Sequence, residues 1–134
     1  MGCAFLDSTS NTACMYKLPN EASAYTAEAI AILKALEYIK NINYSNRYLI
    51  CSDSASVLEA IKGFPKKNVA SYLIFEIIKL IISLKLNNIP IVSLWIPGHS
   101  NVQGNEQVDR LANTASVTGN SLDIDLPMGM STLL

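Results

Sequence analysis

Three carboxylates fall on three stretches of the chain that can each be read locally: Glu28 within TAEAIAILKALEYI, Asp53 at the close of RYLICSDS, and Asp109 within GNEQVDRLA, which follows WIPGH. Oxygen ligands delivered by different elements to one point hold hard divalent cations such as Mg²⁺, and such ions activate water for phosphoryl chemistry. That arrangement points to a nuclease. Each acid also has a plainer reading. Asp53 stands where strand passes into helix, which is an N-cap position as well as the crevice in which α/β sheets hold ligands. Glu28 sits among Ala27, Ala29, Ile30 and Ala31, at the edge between a solvated and an apolar helix face. Asp109 has Arg110 beside it, as in a surface ion pair.

The elements that must position these acids follow from periodicity. Two short β-type runs, 2–6 and 13–18, flank the turn cluster DSTSNT and predict a hairpin. Apolar residues recur at helical spacing through 21–39, at Ala24, Ala27, Ile30, Ala31, Leu33, Ala35, Leu36 and Ile39. A continuous β-rich run at 47–51 predicts a strand, followed directly by a helix over 52–61 with Ser52 or Asp53 near its cap. Gly63 and Pro65 break the pattern, Asn68 or Ser71 can cap a second long helix reaching about Leu86, and 89–96 reads as a strand. PGHSNVQG is a loop, and 105–116 is a final helix with Val108, Leu111, Ala112 and Ala115 on one face. The order is that of an α/β domain whose later strands run parallel through helical crossovers. It occupies residues 1–117, and 118–134, punctuated by Gly119, Pro127 and Gly129, reads as a linker or flexible tail.

Bulk properties narrow the function. In 134 residues, 50% hydrophobic and 16% charged, there is room for one domain with a substantial core. The net charge of -1 lacks the basicity of a protein that grips phosphate backbones along its whole surface. Lys62, Lys66 and Lys67 form the only compact basic group. Cys3, Cys14 and Cys51 are an odd set without a CxxC pair, and Cys51, inside an apolar strand, reads as a buried thiol. A reducing, intracellular location, cytoplasmic or nuclear, follows. The longest apolar run, LIFEIIKLIISLKL, is interrupted by Glu76, Lys79 and Lys85, so no membrane span is expected. MGC opens like an acylation signal, but Leu6 stands where that pattern needs Ser or Thr.

Taken in order and at their separations, YTAEAIAILKAL, ICSDSASVLEAI and LWIPGHSNVQGNEQVDRLANTAS resemble the ribonuclease H domain of the reverse transcriptases of non-LTR retrotransposons, over roughly residues 2–117. The resemblance implies a mixed sheet flanked by helices, in which acids bind two Mg²⁺ ions, with Mn²⁺ as the alternative, and cut the RNA strand of an RNA–DNA hybrid. It implies Glu28, Asp53 and Asp109 as metal ligands and catalytic residues. His99, the only histidine, matches a loop histidine assigned to proton transfer or product departure, and Pro97 and Gly98 let that loop turn sharply. Asn105 matches a residue that shapes the start of the last helix or touches nucleic acid. Trp95, in an apolar strand, reads as core. The implied partners are the hybrid and the remainder of a reverse transcriptase polyprotein, with no membrane.

One feature of that family lacks a counterpart. Its members begin with a strand ending in Asp-Gly-Ser, followed by a strand resembling GCAF, and here GCAF is already at the N-terminus. The expectation is therefore an incomplete domain, without the central first strand and its acid. Asp7 follows GCAFL at the far end of the next strand, and at about 3.3 Å per residue it is displaced too far to bridge ions about 3.5 to 4 Å apart. Weak or absent cleavage is expected. The alternative is a catalytically dead nucleic-acid-binding or scaffold module with the same fold.

Overall fold

A β-hairpin opens the chain, with β1 (Gly2–Asp7) and β2 (Thr12–Lys17) antiparallel in register from Gly2↔Lys17 to Asp7↔Thr12. The computed structural model describes residues 1–8, 10–42, 47–63 and 72–96, together with 107, 110, 111, 113, 114, 120 and 121. At the turn Asn11 has φ 56°, the left-handed region that Asn enters more readily than other non-glycine residues. Leu18 N–H then donates to Met1 O at 2.8 Å and extends the hairpin by one pair.

Helix α1 (Ala24–Asn41) starts three residues later than periodicity suggests, and the reason is local. Ala22 N–H is used in a turn to Pro19 O, and Ser23 has extended backbone angles. Its Oγ accepts from Thr26 N–H at 3.1 Å, satisfying a donor that the first turn leaves without a partner. The helix buries Thr26, Ala27, Ala29, Ile30, Ile32, Leu36 and Ile39. It lies against β1 and α3 and touches α2.

Strand β3 (Tyr48–Ser52), helix α2 (Ala55–Gly63), helix α3 (Tyr72–Leu86) and strand β4 (Ile91–Trp95) follow. β3 and β4 are parallel, from Tyr48↔Ile91 to Ser52↔Trp95, as the βαβ order requires. α3 ends where Ile89 N–H reaches Leu84 O at 2.8 Å and Asn88 N–H reaches Lys85 O at 3.0 Å. Asn88, at φ 63°, takes the left-handed position of this Schellman arrangement. Leu36 of α1, Val57 of α2 and Ile74 and Ile77 of α3 are fully buried, so the core lies where the three helices meet. No described helix is long and apolar enough to cross a membrane.

The fold is mixed α/β, and among the described residues the ladders fall into two sheets, β1-β2-β5 and β3-β4. β5 (Asn120–Ser121) pairs parallel with Tyr16 and Lys17 of β2, inside the stretch that reads as linker or tail. Among the described residues no ladder joins β1 to β3, so the two strands have not closed on each other. β1 is nonetheless buried on both faces, through Cys3 and Phe5 on one and Ala4 on the other.

The smaller sheet corrects two expectations. Tyr48, Ile50 and Ile91 pack against the core, which turns Leu49, Cys51, Val92 and Leu94 to the opposite, exposed face. Cys51 is thus an exposed thiol, not a buried one. Trp95, the last residue of β4, is 50% exposed rather than core.

Candidate metal and nucleic-acid site

Asp53 is held in the turn between β3 and α2, and its backbone explains how. Ser54 caps α2: its Oγ accepts from Val57 N–H at 3.4 Å and its carbonyl accepts from Leu58 N–H at 3.2 Å. Ser52 Oγ accepts from Ser54 N–H at 3.1 Å. SDS offers three capping residues in a row, and the capping interactions fall on the serines. The Asp53 carbonyl accepts from Ala55 N–H at 3.1 Å and from the indole Nε1–H of Trp95 at 3.2 Å. The N-cap reading of Asp53 is therefore answered by its neighbour.

The end of β4 is fastened to the same turn. Ile96 N–H donates to Ser52 O at 2.9 Å, one pair beyond the ladder. Trp95 anchors the Asp53 turn, a role that its apolar neighbours conceal. The available signal was register: placing β3 beside β4 in parallel sets Ser52 opposite Trp95.

Glu28 lies in the second turn of α1 and is partly buried, between the buried Ala27 and Ala29. Among the described residues no hydrogen bond or ion pair joins its carboxylate to another side chain. Tyr25, one turn earlier on the same side of α1, has its hydroxyl pushed up by burial, so it stays protonated as a donor. Asp7 is engaged elsewhere: its Oδ2 accepts from Tyr38 Oη at 2.8 Å, and Phe5 packs on the Tyr38 ring at 5.3 Å between centroids. Tyr38 is ten residues along α1 from Glu28, about 15 Å at 1.5 Å per residue. Asp7 therefore stands well away from Glu28.

Lys62 is exposed in the last turn of α2, where a cation also complements the helix dipole. Asp109, His99, Asn105, Lys66 and Lys67 lie outside the described residues. Gln107, Arg110, Leu111, Asn113 and Thr114 are helical, with Thr114 Oγ1–H donating to Arg110 O at 3.0 Å, where the sequence predicts the last helix. Among the described residues, no group of three or more His, Cys, Asp or Glu side chains could hold a metal ion. The two described acids of the set are hard oxygen donors of the kind Mg²⁺ takes.

Comparison with known proteins yields one assignment. A family model described as RNase H matches residues 1–117. No curated protein matches the chain.

Proposed function

The chain belongs to the RNase H family, and on that premise we propose that it is a hybrid-directed ribonuclease module, acting by two-metal phosphodiester hydrolysis on the RNA strand of RNA–DNA hybrids. The observation that favours this over a plain α/β interaction domain is the Asp53 turn. Ser54 does the capping while Trp95 and Ile96 brace the turn from β4, an investment in position that a solvated surface acid does not need.

Glu28, Asp53 and Asp109 would hold the Mg²⁺ ions, with Mn²⁺ as a substitute. Bound there, the ions supply an activated water and neutralise charge on the phosphate and the departing 3′ oxygen. The chain's own part is to present oxygen ligands from three elements and, through His99, to move a proton or assist product departure. Asn105, Lys62, Lys66 and Lys67 would contact the phosphate backbone. With a net charge of -1 the grip is local, so affinity is modest and the salt slope shallow.

We further propose that the module derives from a retrotransposon reverse transcriptase, works inside the cell, and cleaves weakly as these 134 residues alone. Among the described residues no ladder joins β1 to β3, and this supports the reading, because a strand between them would complete one sheet and deliver a further acid. Incubating a labelled hybrid with the chain and Mg²⁺ tests both readings. Slow cleavage that disappears in Asp53→Asn is the expected result. Turnover equal to that of an intact domain overturns the weak-activity reading. Hybrid binding that is indifferent to EDTA, without cleavage, favours the alternative of a catalytically dead binding or scaffold module.

A further inference from the structure

Two peptide planes meet at the Cα of Asp53, and the end of β4 holds both of them. Ile96 N–H donates to Ser52 O at 2.9 Å, in the plane before Asp53, and the indole Nε1–H of Trp95 donates to Asp53 O at 3.2 Å, in the plane after it. The second plane has two further ties, Ala55 N–H to Asp53 O at 3.1 Å and Ser54 N–H to Ser52 Oγ at 3.1 Å. Peptide planes are rigid, so holding both of them sets the two soft dihedrals of Asp53 and with them the direction of its Cα–Cβ bond. The ties within 52–55 are local to the turn. Those from β4 are not: Trp95 lies 42 positions along the chain from Asp53, and its bond refers the turn to the sheet.

Packing alone does not account for Trp95. The residue is half-exposed, so the burial that favours a large ring is only partly realised, while its one polar atom, a donor without acceptor capacity, is used on a main-chain carbonyl. A neutral hydrogen bond of this kind adds little to global stability. Position is a different matter, since a metal ligand must be held within about 0.5 Å of its productive place. On the reading of Asp53 as a metal ligand, we propose that Trp95 is its positioning residue. The indole N–H sets the Asp53 carboxylate through the backbone, so divalent-ion affinity depends on a side chain that binds no ion. Phe in its place keeps an aromatic ring and lacks the donor.

The test is a Mn²⁺ titration of the full chain, with the free ion read from its electron paramagnetic resonance signal, for wild type, Trp95→Phe, Asp53→Asn and Leu94→Ala. Trp95→Phe should bind Mn²⁺ about fivefold more weakly, the effect of one net hydrogen bond. Leu94→Ala, on the exposed face of the same strand, should bind as wild type does. A bond that serves only the fold lowers the urea midpoint of Trp95→Phe and leaves the Mn²⁺ affinity of the folded chain unchanged. That result overturns the proposal, as does an equal loss of affinity in Leu94→Ala. Trp95 is the only tryptophan, so its indole N–H gives one nitrogen–proton correlation signal that needs no substitution to assign. Mg²⁺ should shift this signal along a saturable curve in wild type and leave it in place in Asp53→Asn. A signal that stays in place while the wild type binds Mn²⁺ overturns the proposal even where Trp95→Phe fails to fold. A wild-type chain that binds no Mn²⁺, or an Asp53→Asn chain that binds it equally well, overturns the metal reading of Asp53 and the positioning role with it.

Discussion

Asp53 and Ser54 are adjacent and do different work, and mutation separates them. Ser54→Ala removes the cap of α2 and should cost about 1 kcal/mol in urea unfolding. Asp53→Asn leaves the Ser54 cap in place and should abolish Mg²⁺-dependent cleavage of a hybrid. A large stability loss in Asp53→Asn would mean that the carboxylate is structural. The thiols divide in a similar way. Burial pushes Cys3 from 9.0 up to about 12, with Lys34 opposing in part, whereas Cys51 is exposed. At pH 8 a thiol reagent should label Cys51 readily and Cys3 only on unfolding. The folded state keeps the Cys3 proton that the unfolded chain releases near pH 9, so this contribution to stability is constant below pH 9. It falls by about 1.4 kcal/mol per unit between pH 9 and 12. A Cys3→Ser chain should lose much of that slope, read from urea midpoints across the range.

Elements with strong local patterns were legible in the amino-acid sequence. The hairpin, α1, and parallel β3 and β4 each rest on contiguous residues whose period matches the structure, with ends displaced by one to three residues where a cap decides. Ser23 rather than Glu21 begins α1, and the Ser23→Ala chain should lose about 1 kcal/mol, measured by urea denaturation. β5 was not legible, because two residues have no period and their pairing with β2 is purely tertiary. Cys51 was misread because an apolar strand suggests burial on both faces, while only one face of β3 packs on the core, and Trp95 because it stands at the last position of β4. The largest fully buried side chains among the described residues are helical, and Ile77→Ala, at such a position of α3, should cost about 2–5 kcal/mol in urea unfolding. The acids were singled out through the resemblance, since alone each has an ordinary explanation; in the structure the cap of α2 falls on Ser54 beside Asp53, and Asp109 lies outside the described residues.

Across the whole molecule, the division of the ladders into two sheets is the property with the widest effect. An additional extended segment between β1 and β3 would convert two small sheets into one and bury backbone that now has no ladder partner among the described residues. Fusing such a segment, with alternating apolar residues and one Asp, ahead of Met1 should raise both the urea midpoint and its slope, because more surface is exposed on unfolding. An unchanged slope would show that the segment does not enter the sheet. A gain in hybrid cleavage that depends on the added Asp would support the weak-activity proposal as well.

The short parallel ladder of β5 has a topological outcome. Lys17 is flanked by Gly2 on one side and Ser121 on the other, so those two backbones are separated by two strand spacings, about 10 Å. Residues 2 and 121 therefore lie at one corner of this sheet. A short Gly-Ser bridge could therefore join residue 121 to residue 2, and a circularly permuted chain opened at 43–46 should retain the same helix layer.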